Sequence, residues 1–345
     1  MTTTIFRTCL VGVLLLPVVM LVRCDISVSS PMGPVAGYDP ATPKLLVSAD
    51  SGAGDRLYVL EYDGTGLLQL SRETTGWTEA CYLSNGETIL AIQEGDIHQL
   101  DADGANPHLL LCQGNAPIDG LFPFPSRWDR VLFRETNISQ QSVWRLEVDD
   151  ELRAVELDIT GEDIGHFRMW DDDEAFLFTE REDLYLYSFS NGALACLSCL
   201  YELELSSYGA YDVNADGKTL ALAARAESSE AERLYLIDLF SLEADTLSLP
   251  GAVSRGPRFN PDQDHLAMVL TVDDTSDVYL LDIEENELQR LTFDAAVETG
   301  LVFSPAGDML AVCQDDGGAI CMDLNGETWT LLPPTWEINT LVFQP

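Results

Sequence analysis

Two acidic stretches contain the residues whose types and spacing come nearest to a metal site. Residues 212–217, DVNADG, match the first half of an EF-hand calcium loop, which also needs a bidentate glutamate at its twelfth position. Ala223 occupies that position. In the second stretch, WDDDE at residues 170–174, four adjacent carboxylates could hold a hard cation. Both stretches are also typical of solvated turns. The sequence therefore assigns no metal or cofactor, and its calcium candidates are Asp171, Asp172, Asp173, Asp212, Asn214 and Asp216.

The chain has eight cysteines, and in an exported protein such residues usually form disulfides. Cys313 and Cys321 lie symmetrically about Gly317 in a predicted hairpin, so their Cβ atoms should face each other at roughly 4.5–5.5 Å. We therefore predict a disulfide between them. Cys196 and Cys199 form a Cys-x-x-Cys without a thioredoxin-like context, which favours a local disulfide or two packed thiols over redox catalysis.

The four histidines give no sign of a catalytic centre. None stands in a pair with metal-ligand spacing, and the chain has no Gly-x-Ser-x-Gly elbow and no glycine-rich phosphate loop. Nucleophilic catalysis therefore has no supporting arrangement of residues. The histidines are His98, His108, His166 and His265.

A degenerate hexad, clearest as VYLLDI, recurs seven times along the chain. Its copies are 40 to 50 residues apart, which in a β-rich chain is typical of a propeller with one blade per period. The copies are LYVLEY from Leu57, IHQLDA from Ile97, VWRLEV from Val143, LYLYSF from Leu184, LYLIDL from Leu234, VYLLDI from Val278 and AICMDL from Ala319.

Each period supplies four strand candidates separated by turns rich in Pro, Asp and Asn. The first period begins at a second-strand pattern, LLV from Leu45, and lacks an innermost strand. The C-terminal TLVFQP matches the innermost strand GLVFSP at residues 300–305, so we expect the C-terminus to complete blade one and close the ring. The predicted blades cover residues 44–70, 79–111, 120–157, 166–199, 208–250, 258–293 and 300–332.

The sequence thus predicts an all-β fold, a seven-bladed β-propeller. Six or eight blades stay open as alternatives, because the longest spacing between hexads, before blade five, hides an insertion.

Three phrases within these repeats resemble TolB-type, WD-repeat-like propellers. They are FSPAGDMLAV at residues 303–312, FNPDQDHLAMV at 259–269 and LDADGANPHLLL at 100–111. In that family the innermost strand ends in a Ser-Pro-Asp-Gly-like turn, and the outer hairpin carries an Asp-Gly turn. The resemblance covers residues 44–345. It implies a propeller used for binding, often in the periplasm or on the cell surface.

The topology of a propeller predicts where a ligand would bind. The loops that lead into the innermost strands open on one face, around a central funnel. The residues just before these strands mix acids with one Arg, one His and one Tyr, which suits a polar or cationic ligand as well as ordinary loops. They are Glu79, Asp119, His166, Tyr208, Arg255, Glu298 and Asn339.

Charge is the abnormal part of the composition. The chain has 58 acids against 18 bases, a formal net charge of −40. Such a field repels phosphates and anionic lipid headgroups, which argues against nucleic acid and acidic membrane surfaces as partners. It favours a cationic partner, divalent ions or simply a solvated acidic surface.

Residues 1–24 have the pattern of a signal peptide or membrane anchor. Arg7 precedes an apolar run over residues 10–22, which suits a secretory signal better than a full membrane span. Lipidation of Cys24, cleavage within residues 27–36 and an uncleaved anchor all stay open, and Arg23 is unfavourable for lipidation. Residues 25–43 then form a linker and 44–345 the propeller. Each outcome places the body outside the cytoplasm, secreted or held at a membrane only by its N-terminal segment.

These observations favour a non-enzymatic, extracytoplasmic module with a monomeric body that binds or scaffolds a protein or peptide. One alternative is a carbohydrate-active or other enzyme that uses funnel carboxylates about 5–10 Å apart. The other is a calcium-dependent adhesion or sensor domain.

Overall fold

The computed structural model describes residue 33 and residues 35–345, apart from 72–75, 113–115, 139, 149–151, 171–173, 206–210, 227–231, 242 and 294–295. This part of the chain forms strands and one short helix, α1 (Leu197–Tyr201). The strands up to α1 are β1 (Lys44–Asp50), β2 (Asp55–Glu61), β3 (Leu68–Gln69), β4 (Trp77–Tyr82), β5 (Thr88–Gln93), β6 (Asp96–Asp101), β7 (His108–Leu111), β8 (Ile118–Pro123), β9 (Arg130–Thr136), β10 (Gln141–Glu147), β11 (Arg153–Gly161), β12 (Ile164–Trp170), β13 (Ala175–Glu180), β14 (Asp183–Ser188) and β15 (Leu194–Cys196). Those after it are β16 (Leu203–Leu205), β17 (Tyr211–Val213), β18 (Thr219–Ala226), β19 (Glu232–Asp238), β20 (Ala244–Ser248), β21 (Ala252–Phe259), β22 (His265–Val272), β23 (Thr275–Asp282), β24 (Glu287–Arg290), β25 (Glu298–Phe303), β26 (Met309–Gln314), β27 (Ala319–Asp323), β28 (Thr328–Leu332) and β29 (Glu337–Phe343).

Hydrogen bonding groups these strands into seven antiparallel sheets, each one blade of a propeller. Blades two, three, four, six and seven each take four consecutive strands, beginning with β4, β8, β12, β21 and β25. Blade five has its innermost strand in two pieces, β16 and β17, which both pair with β18. The predicted count of seven blades is confirmed.

The hydrophobic core lies between neighbouring blades rather than inside one blade. Both faces of each sheet are covered, so the second strands are continuous buried runs instead of alternating ones. In β22, Leu266, Met268 and Leu270 belong to the cluster shared with blade five. Ala267 and Val269 belong to the cluster shared with blade seven. Successive side chains of β22 therefore pack alternately against blade five and blade seven.

The C-terminus closes the ring as predicted. β29 pairs antiparallel with β1, and Leu341, Val342 and Phe343 lie opposite Val47, Leu46 and Leu45 in turn. Blade one is thus built from both ends of the propeller, in the order β29-β1-β2-β3. The pairing covers what would otherwise be an open sheet edge.

Two departures from even repeats have local causes. The longest spacing between hexads contains α1, which follows β15 and begins at Cys196 as its N-cap. Part of the segment predicted as a linker packs on the ring, because Val35 and Tyr38 contact the apolar cluster between blades one and two. The Val35 N–H donates to the carbonyl of Asp103 at 2.9 Å.

The predicted disulfide between Cys313 and Cys321 is wrong, since both are free thiols. In the β26–β27 hairpin Cys313 lies opposite Ala319, and Cys321 lies opposite Ala311. The hairpin is centred one residue before Gly317, and this shift moves each partner by two positions. Diagonal neighbours are about 7 Å apart, too far for a disulfide.

The remaining cysteines divide into bonded and free ones. Cys196 and Cys199 form a disulfide with a Cα–Cα distance of 5.4 Å. This selects one of the two arrangements that the sequence left open. Cys112 is also disulfide-bonded, whereas Cys81 is a buried thiol.

Within the described ranges, the protein has no helix whose length and hydropathy would suit a membrane crossing. The apolar run and Cys24 lie outside the described residues.

Candidate functional site

The innermost strands share a β-bulge at the end where each strand begins. In the described part of the ring, six of the seven carry it. A bulge adds a residue to one strand and re-aims its side chain, and such bulges are frequent at rims and beside binding sites. The single extra residues are Thr78, Asp119, Ser254, Thr299 and Asn339. In addition, His166 and Phe167 together face Phe178, and Gly256 and Pro257 together face Met268.

The turns between the second and third strands reach the same end of the ring. The Gly76 N–H donates to the carbonyl of Asp55 at 3.0 Å, and the Ile118 N–H donates to the carbonyl of Gly95 at 3.1 Å. Each bond joins such a turn to the segment that enters an innermost strand. We call this face the mouth: the bulged strand ends together with these turns.

Three of the predicted site residues are bulge residues and are exposed at the mouth: Asp119, His166 and Asn339. His166 has a left-handed backbone with φ 54°, which costs energy in a residue other than glycine and is most frequent at functional sites. The Asn339 amide donates to Asp55 at 2.8 Å.

Two predicted acids lie beside a bulge but turn inward. Glu298 is 2% exposed, so it does not present its carboxylate at a surface. Glu79 is half-buried, and its Oε1 accepts a hydrogen bond from the Leu121 N–H at 3.2 Å. Burial raises the pKa of Glu79 to about 7, against the effects of this bond and of the Arg134 charge. Glu79 thereby links blade two to blade three.

Arg255 also links blades, since its Nε donates to the carbonyl of Thr299 at 2.8 Å. Tyr208, the seventh predicted residue, lies outside the described residues.

One equivalent position of the innermost strand is charged in three consecutive blades. Arg168, Asp212 and Arg258 occupy it, opposite Leu177, Ala221 and Ala267 respectively. The Arg168 Nε donates to the Asp212 carboxylate at 2.9 Å. The other oxygen of that carboxylate accepts the Phe259 N–H at 2.9 Å.

Arg258 is held differently from Arg168. Its Nη1 donates to two backbone carbonyls, of Tyr211 at 3.0 Å and of Pro257 at 2.7 Å. Among the described residues it makes no direct ion pair. Burial and the charge of Arg168 lower the pKa of Arg258 to about 10, so it stays protonated at neutral pH.

Arg134, on β9, extends this positive region to blade three. The Arg134 Nε donates to Asp119 at 2.8 Å, and its Nη1 donates to the carbonyl of Ile164. Partial desolvation and the charges of Arg168, Arg258 and Arg134 lower the pKa of His166 to about 4. His166 is therefore neutral at pH 7. We call Arg134, Arg168 and Arg258 the arginine cluster.

The cluster was missed by reasoning from the sequence, although the repeat alignment contains a signal for it. FRM, YDV and PRF, from Phe167, Tyr211 and Pro257, fall at one offset in blades four, five and six. The mouth prediction took residues just before the innermost strands, whereas these side chains come from further along them.

The calcium candidates at residues 212–216 use their oxygens within the fold. The Asn214 Oδ1 accepts the Lys218 and Thr219 N–H groups, each at 2.9 Å. The Asp216 carboxylate accepts from the Lys218 Nζ at 2.6 Å. Asp212 belongs to β17, and residues 214–218 form the turn between β17 and β18. A turn was the alternative to a calcium loop that the sequence offered. Asp171, Asp172 and Asp173 lie outside the described residues.

Asp183, Cys196 and Cys199 also bring possible ligand atoms together, all within 4.8 Å of one another. Because the two sulfurs are joined in a disulfide, they offer no thiolates.

No family model matches this chain, and no curated protein matches it. Solved structures do. TolB from Acinetobacter baumannii is 16% identical, with 75% of this chain and 65% of TolB covered and a TM-score of 0.49. The alignment thus spans slightly under two thirds of TolB.

Two other solved structures are similar over more of their length. Oligogalacturonate lyase from Vibrio parahaemolyticus is 12% identical, with 84% of this chain and 87% of the lyase covered and a TM-score of 0.61. The Cps50 (Swd1) β-propeller domain of Myceliophteria thermophila is 10% identical, with 86% and 99% covered and a TM-score of 0.59. At such low identity these likenesses concern the fold alone. The chain is a seven-bladed β-propeller, structurally similar to TolB and to WD-repeat-like propellers.

Proposed function

We propose that this protein is a non-enzymatic, extracytoplasmic propeller that binds a protein or peptide partner at the mouth. The mouth carries the proposal, because bulges in six of the described blades turn side chains of the innermost strands toward one opening. A rigid ring that presents polar groups from many blades suits recognition of an extended segment.

Two of the four histidines make contacts within the fold. His98 packs edge-on against the Trp77 ring at 5.3 Å, and the His265 Nδ1 lies 2.6 Å from Asp264. Neither contact pairs an imidazole with a hydroxyl or thiol nucleophile.

An oxidising compartment is supported by the disulfide between Cys196 and Cys199 and by bonded Cys112. Disulfides persist outside the cytoplasm and are rare within it. Together with the signal-like N-terminus, they favour export of the propeller.

Site-specific photo-crosslinking in producing cells tests this function. A photoreactive residue replaces Thr78, an exposed bulge residue at the mouth, or Asp245, an exposed residue on β20, the outermost strand of blade five. We expect one discrete crosslinked partner from position 78 and none from position 245. Equal crosslinking from both positions, or none from position 78, would contradict binding at the mouth.

A further inference from the structure

We infer that the arginine cluster receives an acidic tip of the partner, a segment that carries one or more carboxylates. This inference rests on the proposed function, and it names the chemistry of the segment that enters the ring.

The cluster offers guanidinium donors that the fold does not use. Within the described chain, the Arg168 Nη2 and the Arg258 Nε and Nη2 make no hydrogen bond, whereas the other nitrogens of these groups hold the side chains in place. A guanidinium presents its N–H groups as a planar fork that matches the two oxygens of a carboxylate. The anchored forks therefore provide a prearranged carboxylate site.

The charges in the cluster are not balanced by the fold. Three guanidiniums face two direct carboxylate partners, Asp119 and Asp212. Arg258 is hydrogen-bonded only to backbone carbonyls, and the nearby Asp212 carboxylate offsets only part of its repulsion from Arg168. Because a bound anion would relieve this repulsion, the arrangement favours an anionic ligand.

Stability does not explain the arginines. Blades two, seven and one have Cys81, Val302 and Val342 at the equivalent position, opposite Leu90, Ala311 and Leu46. The same backbone site thus forms its ladder with apolar side chains. An uncompensated, partly buried charge costs free energy that such residues do not.

The negative charge of the whole protein limits which anionic partners can reach the arginine cluster. A chain with a net charge of −40 repels a long polyanion such as a nucleic acid. A short acidic tip is repelled only by the charges that lie within about one Debye length of it, about 8 Å at physiological ionic strength. Basic residues behind the tip would face the acidic exterior. The occupant that fits both surfaces is a peptide segment with an acidic end and a basic flank.

The test uses a fluorescent hexapeptide, Lys-Lys-Gly-Gly-Glu-Glu with a free carboxyl end, and a control ending in Gln-Gln-amide. Fluorescence anisotropy measures their binding to the full chain at an ionic strength of about 50 mM, where screening is weak. We expect the acidic peptide to bind about tenfold tighter than its control, and Arg258→Met to remove most of that preference. Arg258→Lys should keep part of it.

Arg153→Met is the matched control, because Arg153 is exposed on β11, the outermost strand of blade three. It removes the same charge and should leave binding unchanged. Equal affinity of the native protein for both peptides, or equal weakening by the Arg153 and Arg258 variants, would overturn the inference.

Arginine modification of the native protein keeps the test valid if Arg258→Met does not fold. The acidic peptide should slow the reaction of butanedione with Arg258 but not with Arg153, as measured by peptide mapping. If saturating peptide leaves the rate of the reaction at Arg258 unchanged, the inference is overturned. A crosslink from position 78 that persists without any acidic-peptide preference would leave the binding function standing and remove only the acidic tip.

Discussion

The two sides of the ring use one backbone position in opposite ways. On the charged side, blades four to six place Arg168, Asp212 and Arg258 there. On the apolar side, blade two places Cys81 in the core cluster shared with blade three. Blade seven places Val302 against the cluster shared with blade one.

The contrast separates the requirements of the fold from those of the site. The apolar side buries surface between blades, which stabilises the ring. The charged side has the same ladder but keeps guanidiniums that must be desolvated and held by carbonyls. Substitutions on the apolar side should therefore change stability alone, and those on the charged side should change stability and binding together.

The largest expected effect is on the apolar side. Phe343 in β29 is 5% exposed and packs edge-on against the Tyr62 ring at 4.7 Å. Phe343→Ala should lower the free energy of unfolding by about 3–5 kcal/mol, because it leaves a cavity where the ring closes. Chemical denaturation measures this. Phe240→Ala, at a side chain that is 73% exposed, should change stability little. The folded Phe343→Ala protein should bind the acidic peptide as tightly as the native protein does. A loss of binding would contradict the claim that the apolar side serves stability alone.

The next effect concerns Glu79, the carboxylate that lies half-buried in blade two. Its pKa is raised by burial from an ordinary 4.5 to about 7, so the folded state holds a proton that the unfolded chain releases. Stability therefore falls as the pH rises through this window. Glu79→Gln should be as stable as the native protein near pH 4 and more stable near pH 8, by up to about 3 kcal/mol.

Urea denaturation of both proteins across this pH range isolates the contribution of Glu79. A difference that does not depend on pH would show that the carboxyl titrates at its ordinary value.

The smallest expected effect on stability lies on the charged side. Asp212→Asn removes the carboxylate that Arg168 contacts, while the amide oxygen can still accept from the Phe259 N–H. Since Arg168 is 30% exposed, the loss of stability should be about 2 kcal/mol, less than for a fully buried pair. Affinity for the acidic peptide should rise, by about tenfold, because a competing anion is gone.

A substitution that lowers stability but raises affinity for the peptide identifies a binding site rather than a purely structural contact. Asp216→Asn is the control, since Asp216 pairs with Lys218 in an exposed turn. It should change neither quantity. An Asp212→Asn protein that loses both stability and affinity would assign the charges a purely structural role.

The fold could be predicted because the sequence patterns that specify a blade recur along the chain. The hexads give the blade count, and the likeness of TLVFQP to GLVFSP predicts the strand exchange that β29 makes with β1. A hairpin centre has no such redundancy. A shift of one residue in the turn near Gly317 changed the partner of Cys313 and removed the predicted disulfide.

The candidate site could be predicted only in part. Propeller topology predicts where the mouth lies, and the structure places Asp119, His166 and Asn339 in bulges at that end of the ring. The direction of a side chain beside a bulge does not follow, which is why Glu298 is buried. The contact between Arg168 and Asp212 joins residues 44 positions apart, and it becomes visible only once the strand register is known.

A crystal structure of the full propeller with the acidic hexapeptide bound tests the central claim most directly. We predict a glutamate or terminal carboxylate within hydrogen-bond distance, about 2.7–2.9 Å, of the guanidiniums of Arg168 and Arg258. The basic end of the peptide should lie toward the mouth. A peptide bound only on the outer strands, or an arginine cluster that makes no contact with it at saturating concentration, would contradict the account.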